Sequence, residues 1–301
     1  MKIGIDIGGS HIGVGLIDGA DIIKMLEKNF TRTDRINIKE TIVNETEKMI
    51  VQLLLETNIQ KEQIECIGIG APGTIQNGVI VTSNNLEITN FNIAQILEEK
   101  FNIPVHIRND AKCAALAEKE FGSMKEYDDC VFLTIGTGIG GAVFISGKLL
   151  EPKRFSGFEL GHMVVNKGGR KCSCGKYGCF ETYVSIKALK MKVTETLDVD
   201  NDINGQYLRE ELLIKDHPGV KEDVEVFLDY LKTGICNLID IFEPEIVCLG
   251  GSFSYYEGNP VYDRLLEKIN EVNATYNKGT RPKITLAELK NNAGIIGATI
   301  V

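Results

Sequence analysis

The sequence predicts an α/β protein that contains two copies of one fold, in two domains facing each other across a cleft. Two observations carry this prediction. Two strand-like segments each meet a glycine-rich tip and resume as a second strand, and two further apolar segments run directly into glycine loops. A chain of 301 residues is long enough for two domains, each with its own hydrophobic core.

The first copy of the pattern opens the chain. Residues 2–7 alternate as a strand does and end at Gly8, Gly9 and Ser10, after which strand character resumes over residues 12–17. Two short strands joined by a glycine-rich tip predict a β-hairpin. Backbone N–H groups and a small hydroxyl at such a tip can bind phosphate oxygens, although either hairpin by itself could be only a tight turn.

The second copy runs from residue 131 to residue 145. Its tip places Gly136, Gly138 and Gly141 at the G-x-G-x-x-G spacing of dinucleotide-binding proteins. That fingerprint requires the last glycine to open a helix, whereas here residues 142–145 read as a strand. The segment therefore predicts a second hairpin, with Thr137 in the place that Ser10 has in the first.

Two apolar runs, residues 64–69 and 246–249, lead into glycine loops and predict buried parallel strands. A short strand over residues 104–107 is followed by Asp110 and an alanine-rich helix. An aspartate at this junction could cap the helix or accept a proton beside bound phosphates. From position alone, the capping interpretation is favoured.

A cluster of cysteines is the most specific feature of the second half. Cys172, Cys174 and Cys179 follow His162 on two short segments, which is the ligand set that tetrahedral Zn²⁺ prefers. An iron–sulfur cluster usually takes four cysteines at tighter spacing, and inert buried thiols are the remaining alternative. The other cysteines are predicted to fill the core: Cys66, Cys113, Cys130, Cys236 and Cys248.

Charge and hydropathy exclude several classes of protein. The formal net charge of -9 disfavours a nucleic-acid surface. No apolar run approaches the roughly 20 residues of a membrane span, and the N-terminus runs directly into a strand rather than a signal peptide. We therefore expect a cytoplasmic protein with reduced thiols.

The residues around the cysteine cluster carry a family resemblance. The motif from Gly157 through Ser185 is similar to that of the ROK family of bacterial sugar kinases and repressors, within the actin-like ATPase superfold, and the similarity extends from Lys2 to Ala298. It implies a zinc site at the cysteines and His162, a catalytic base at Asp110 and ATP with Mg²⁺ as cosubstrate. The residues that it implies for sugar binding are Asn85, Asn109, Asp110, Glu159, His162 and Glu181.

The resemblance also implies where ATP binds. One phosphate group would lie near Gly8, Gly9 and Ser10, and another near the second tip, with Asp6 helping to hold hydrated Mg²⁺ unless it only forms a turn. The residues implied for nucleotide binding are Asp6, Gly8, Gly9, Ser10, Gly136, Thr137, Gly138, Gly250 and Gly251. Asp110 would take the proton of the 6-hydroxyl of a hexose as that oxygen attacks the γ-phosphorus.

Three departures from the family pattern bear on function. The first phosphate loop commonly continues with threonine and lysine, whereas this chain has Ser10 and His11, and an exposed histidine is mostly neutral at pH 7. The sugar loop lacks the tryptophan common in glucose-binding members. Phe158 stands where a small residue is usual, and either reshapes the sugar pocket or packs in the core.

The function expected from the sequence is ATP-dependent phosphorylation of the 6-hydroxyl of a glucose-type hexose. N-acetylmannosamine, fructose and β-glucosides are alternative substrates, and a catalytically weak sugar- or ATP-binding regulator is the alternative of a different class. We expect no DNA-binding domain ahead of Lys2, and a homodimer or higher homo-oligomer from the resemblance. The predicted domains are residues 1–112 with 291–301, and residues 113–290.

Overall fold

The computed structural model describes residues 1–152, 157–199, 203–272 and 281–301. The chain forms two compact units. The first unit comprises Met1–Gly122 and Asn291–Val301, and the second comprises Ser123–Glu151 and Gly157–Lys290. The chain thus passes from the first unit to the second after Gly122, ten residues beyond the predicted boundary.

Strands of the first unit precede those of the second along the chain. The first unit holds β1 (Lys2–Ile7), β2 (His11–Asp18), β3 (Asp21–Asn29), β4 (Ile67–Ala71), β5 (Thr74–Gln76), β6 (Val79–Ser83), β7 (Ile88–Phe91) and β8 (Val105–Asn109). The second unit holds β9 (Cys130–Ile135), β10 (Ile139–Ile145), β11 (Lys148–Leu149), β12 (Ile246–Gly250) and β13 (Lys283–Leu286).

The helices are named in the same way. They are α1 (Ile38–Thr57), α2 (Ile93–Phe101), α3 (Asp110–Glu120), α4 (Glu181–Val184), α5 (Ile186–Thr196), α6 (Gly205–Tyr207), α7 (Lys221–Phe242), α8 (Pro260–Glu271) and α9 (Ala293–Ala298). Helices α1 to α3 and α9 belong to the first unit, and the others belong to the second. None of the helices in the described part of the chain combines the length and the apolar character that crossing a membrane requires.

The two main sheets have the same topology. The first sheet has the strand order β3-β2-β1-β4-β8 and the second has the order β11-β10-β9-β12-β13. In each sheet an antiparallel hairpin, β1–β2 or β9–β10, is followed by two parallel strands. This repetition confirms the predicted duplicated α/β fold and both predicted hairpins.

Sequence composition explains which strands lie at the centre. Every residue of β4 and of β12 is buried, as expected for short apolar runs in parallel strands that are covered on both faces. Strand β3 was not predicted from the sequence, and it alternates between exposed and partly buried residues because it forms the edge of its sheet. Each unit has its own core of buried aliphatic side chains.

Helix α9 returns to the first unit at very close range. An alanine in place of Gly68 on β4 would put its Cβ 1.8 Å from the carbonyl oxygen of Ala298. An alanine in place of Gly297 would put its Cβ 1.7 Å from the carbonyl oxygen of Cys113 on α3. Small residues therefore let α9 pack at backbone contact on both the sheet and α3.

The cysteines outside the cluster mostly fill the core as predicted. Cys66, Cys113, Cys130 and Cys248 are buried. Cys236 on α7 is only half-buried, so the prediction of a core position does not hold fully there.

Candidate active site

The tip of the first hairpin, Gly8 to Ser10, forms a tight loop between β1 and β2. The N–H group of Gly8 donates to the carbonyl oxygen of His11 at 2.9 Å. A Cβ at Gly8 would lie 2.6 Å from Cε1 of His11, so the imidazole ring rests against this glycine. A Cβ at Gly9 would lie 3.5 Å from Cβ of Asn85. The structure thus brings Asn85, a predicted sugar-binding residue, beside the first predicted phosphate loop.

Asp6 lies at the end of β1 and is half-buried. Burial, followed by the negative charges of Asp110 and Glu27, raises the pKa of the Asp6 carboxyl to about 7. A carboxylate crowded by two others gains free energy when a cation is bound nearby, because the cation offsets the repulsion that favours protonation. These oxygen donors fit the preference of Mg²⁺ for carboxylates.

Glu27 is a residue of this group that the sequence did not reveal. In the first sheet Asp6 pairs with Gly13, and Gly13 pairs with Glu27 on β3. Residues paired in register point to the same face of a sheet, and Gly13 has no side chain to separate the two carboxylates. Only the strand register reveals that Glu27 is close to Asp6, because the two residues are 21 positions apart along the chain.

The start of α3 corrects the capping prediction. The N-cap of α3 is Asn109, whose Oδ1 accepts hydrogen bonds from the N–H groups of Ala111 at 3.1 Å and Lys112 at 3.3 Å. Asp110 is the first helical residue, and its Oδ1 accepts from the N–H of Ala111 at 2.8 Å. The cap therefore belongs to Asn109, which also donates to the carbonyl oxygen of Gly73 at 3.2 Å.

The second glycine loop is held by a carboxylate. The N–H of Gly136 donates to the carbonyl oxygen of Gly138 at 3.0 Å, which closes the tip. Oε2 of Glu181 accepts the N–H of Ile139 at 2.8 Å, and a Cβ at Gly138 would lie only 2.4 Å from that oxygen. Glu181 therefore contacts the loop itself, a contact that its predicted role in sugar binding did not include. Gly141 lies within β10 rather than at the start of a helix, which confirms the rejection of the dinucleotide fingerprint.

The loop after β12 lies next to this tip. A Cβ at Gly136 would be 3.8 Å from Oγ of Ser252. Gly251 has a φ of +65°, and a Cβ there would lie 2.7 Å from Oγ1 of Thr134. Glycine is required at Gly251 for both reasons. The predicted nucleotide-binding residues Gly250 and Gly251 therefore lie against Thr134 and Ile135 at the end of β9, just before the second tip.

The segment that carries Glu159 begins with a strained residue. Phe158 has a φ of +58°, a left-handed conformation that is rare for bulky side chains. Its carbonyl oxygen accepts the N–H of Leu160 at 3.1 Å, and the N–H of His162 donates to the carbonyl oxygen of Glu159 at 3.0 Å. This short turn places the exposed Glu159 three residues before His162.

We predict that Phe158→Gly is more stable than Phe158→Ala. Both variants lack the ring, but only alanine keeps a Cβ, which costs roughly 1–2 kcal/mol at positive φ. The expected difference is about 1 kcal/mol, or about 2–4 °C in Tm for a unit of this size. Thermal unfolding of the two variants measures it. Equal Tm values, or a higher value for Phe158→Ala, would show that the left-handed conformation is not a constraint here.

The ligand atoms of His162, Cys172, Cys174 and Cys179 all lie within 4.8 Å of one another. Sγ of Cys172 is 3.6 Å from Nδ1 of His162, and Sγ of Cys174 is 3.6 Å from Sγ of Cys179. A tetrahedral Zn²⁺ with bonds of about 2.0–2.3 Å places neighbouring ligand atoms about 3.5–3.8 Å apart. The geometry therefore fits zinc, with Nδ1 of His162 as its nitrogen ligand.

Residues outside the predicted set brace this loop. A Cβ at Gly178 would lie 1.7 Å from the carbonyl oxygen of Asn166, and Nδ2 of Asn166 donates to the hydroxyl of Tyr230 at 2.9 Å. The hydroxyl of Tyr183 accepts the N–H of Arg170 at 2.8 Å, and the rings of Tyr183 and Tyr230 stack with centroids 4.1 Å apart. The loop thus has a rigid aromatic support on α4 and α7.

All predicted site residues lie in the described part of the chain, and they form two groups. The first unit holds Asp6, Gly8, Gly9, Ser10, Asn85, Asn109 and Asp110. The second unit holds Gly136, Thr137, Gly138, Glu159, His162, Cys172, Cys174, Cys179, Glu181, Gly250 and Gly251.

The duplicated sheets, each with a glycine-tipped hairpin, define a protein of the actin-like ATPase fold. The chain belongs to the ROK family, whose family model matches residues 2–301. The resemblance noted in the sequence is thereby confirmed over nearly the whole chain.

Relatives of this chain include both regulators and kinases. The chain is 31% identical over 325 residues to a xylose repressor of Caldicellulosiruptor bescii, covering 99% of this chain and 78% of that protein. It is 32% identical over 324 residues to a glucokinase of Thermotoga maritima, covering 99% and 96%. Among solved structures, the ROK hexokinase from Thermus thermophilus matches with a TM-score of 0.78 and 30% identity over 99% of this chain and 96% of that one.

Proposed function

We propose that this protein is an ATP-dependent sugar kinase that transfers the γ-phosphoryl group to the 6-hydroxyl of a hexose. The observation that carries the proposal is the placement of Asp110. It lies half-buried on the first turn of α3, and its charge acts on Asp6 at the end of β1, beside the first glycine loop. A carboxylate beside a phosphate loop and a cation site is suited to accept a hydroxyl proton.

Asp110 would act as the general base toward the acceptor hydroxyl. Asn109 holds the backbone around it, because its side chain caps α3 and also bonds to Gly73. A base held within hydrogen-bonding reach of the attacking hydroxyl favours phosphoryl transfer, since this reaction depends chiefly on positioning and charge. Asn85 next to Gly9 would orient the sugar relative to the first loop.

Mg²⁺, when bound, neutralises charge on the triphosphate and on the group in transfer. Asp6 would hold it, directly or through water, and the neighbouring Glu27 would add to the negative field. The N–H groups of the two glycine loops, with the Ser10 and Thr137 hydroxyls, would bind phosphate oxygens. Gly250 and Gly251 would lie against the adenosine.

Glu159, His162 and Glu181 would bind sugar hydroxyls on the second unit. Zn²⁺ at His162 and the three cysteines would be structural, and it would fix the tautomer of His162 so that Nε2 remains for a sugar hydroxyl. Glu159 lies three residues before the zinc ligand His162, and Glu181 lies two residues after the zinc ligand Cys179. One Zn²⁺ would therefore hold both carboxylates in place.

A catalytically weak, sugar-binding regulator is the second candidate function. It is favoured by the 31% identity to a xylose repressor over 99% of this chain. The first loop also has His11 in the place of the lysine usual in the family, so it lacks that ammonium group. Xylose differs from glucose by lacking the carbon that carries the 6-hydroxyl, so the two candidates predict different responses to it.

The test is an ADP-release assay with MgATP over hexoses, amino sugars and xylose, together with direct binding of each sugar by calorimetry. We expect at least one hexose to raise ATP turnover to about 1–100 per second, the usual range of kinases, and xylose to give none. If no sugar stimulates turnover of zinc-loaded protein while xylose binds, the regulator is the correct function.

A further inference from the structure

The segment that follows β3 contacts the first glycine loop at two consecutive carbonyl groups. The N–H of Phe30 donates to the carbonyl oxygen of Ser10 at 2.8 Å. The guanidinium of Arg35 donates through Nη2 to the carbonyl oxygen of Gly9. Both contacts lie within the first unit, and neither follows from the sequence, since Arg35 is 26 residues from Gly9.

These contacts orient the loop. In a trans peptide the C=O group and the following N–H group point in opposite directions. A donor on the Gly9 carbonyl therefore directs the Ser10 N–H to the other side of the loop, and a donor on the Ser10 carbonyl does the same for His11. Loops that bind phosphate depend on such an orientation of their N–H groups.

The turn that carries Arg35 is ordered by its own hydrogen bonds. The carboxylate of Asp34 accepts the N–H and the hydroxyl of Thr31, both at 2.8 Å. The hydroxyl of Thr41 on α1 donates to the carbonyl oxygen of Asp34 at 3.0 Å, and Nζ of Lys28 is 3.4 Å from its Oδ1. Arg35 is therefore presented to Gly9 from a braced turn rather than from a free loop.

Arg35 also supplies the charge that the loop sequence lacks. His11 replaces the usual lysine, and its ring packs against Gly8. A guanidinium is charged at all relevant pH values and keeps further N–H donors after one of them bonds to Gly9.

We propose that Arg35 is a positioning residue for the nucleotide phosphates: it holds the Gly9 carbonyl away from them and places a permanent positive charge at the first loop. This inference rests on the proposed function, because it assumes that the loop binds a nucleoside triphosphate. It adds a residue that acts through the loop rather than on the reacting atoms.

The test compares Arg35→Gln, Arg35→Lys and the control Arg32→Gln. Arg32 is an exposed arginine of the same segment with no hydrogen bond or ion pair among the described residues, so its variant loses the same charge without the Gly9 contact. We measure the Kd of AMPPNP with Mg²⁺ by calorimetry, and the KM for ATP, the KM for sugar and kcat.

We expect Arg35→Gln to raise the Kd for AMPPNP and the KM for ATP about 5–10-fold, as for a charged hydrogen bond at a partly solvated site. The KM for sugar should stay unchanged. Arg35→Lys should recover part of the loss, because an ammonium keeps the charge and one donor. If Arg35→Gln does not fold, a Kd for Arg35→Lys about 2–3-fold above that of the wild type is the expected result instead.

The inference would be overturned, and the proposed function left intact, if Arg35→Gln and Arg32→Gln bound AMPPNP equally. Where the glutamine variant does not fold, equal binding by Arg35→Lys and the wild type would overturn it. An equal fall in Arg35→Gln and Arg32→Gln, with Arg35→Lys binding like the wild type, would also overturn it, since loss of bulk charge would then be the cause. If the wild type itself did not bind AMPPNP, the proposed function would fail first and this inference with it.

Discussion

Replacing Asp110 by asparagine should lower kcat for sugar phosphorylation by about 10²–10⁴, the usual contribution of a general base. Asparagine has nearly the same shape but cannot take up a proton at neutral pH. Its Oδ1 can still accept the N–H of Ala111, and the cap of α3 resides on Asn109, so the helix should stay intact. Loss of activity would then report on chemistry rather than on folding.

The Asp110→Asn measurement needs three readouts. Steady-state kinetics gives kcat, calorimetry gives the Kd of AMPPNP and of the sugar, and thermal unfolding gives Tm. We expect both Kd values to change little, because asparagine keeps an acceptor oxygen for the sugar hydroxyl and loses only the ability to take up its proton. A loss in kcat of less than about tenfold would remove Asp110 from the role of base.

A matched control distinguishes the base from its neighbour. Asn109→Ala removes the cap and the bond to Gly73, yet leaves the carboxylate of Asp110 in the chain. We expect it to lower Tm, since loss of a cap costs about 1 kcal/mol, and to impair turnover less than Asp110→Asn. If Asn109→Ala impaired turnover more than Asp110→Asn did, the catalytic effect would come from the positioning of the end of β8.

Loss of zinc should be the largest structural perturbation. Structural Zn²⁺ is worth about 10–16 kcal/mol in small peptide sites, which is comparable to the net stability of a whole domain. Even about 3 kcal/mol of destabilisation corresponds to a fall of about 6–12 °C in Tm for a unit of this size. We therefore expect Cys179→Ser to lose most of its bound zinc and to unfold at a clearly lower temperature.

Cys236→Ser is the control for this experiment, because Cys236 lies half-buried on α7 outside the cluster. Metal analysis should find one zinc per chain in the wild type and in the control. His162→Ala should lower zinc content and raise the KM for sugar together, since Nδ1 faces Cys172 and we propose that Nε2 binds a sugar hydroxyl. If a chelator removed the zinc from the wild-type protein and left its Tm unchanged, the structural zinc site would be refuted.

Several features of the fold could be predicted because their signals are local. The hairpins at residues 2–17 and 131–145 follow from strand alternation on either side of glycine tips, and both formed as expected. The cysteine cluster could be predicted because two short segments carry all four ligands. The cap of α3 could not be assigned, because Asn109 and Asp110 are both good capping residues. Only backbone dihedrals decide between them, and Asn109 has the extended values of φ −62° and ψ 139°.

The sequence by itself determined the family, the duplicated α/β fold and the candidate ligands of zinc. The tertiary structure alone decided that Glu27 faces Asp6 across Gly13, that Arg35 contacts Gly9 and that Phe158 adopts a positive φ. The first two are contacts between residues more than 20 positions apart, which depend on strand register and on the packing of a turn. Periodicity and spacing report on neighbours in the chain, so they carry no signal for such contacts.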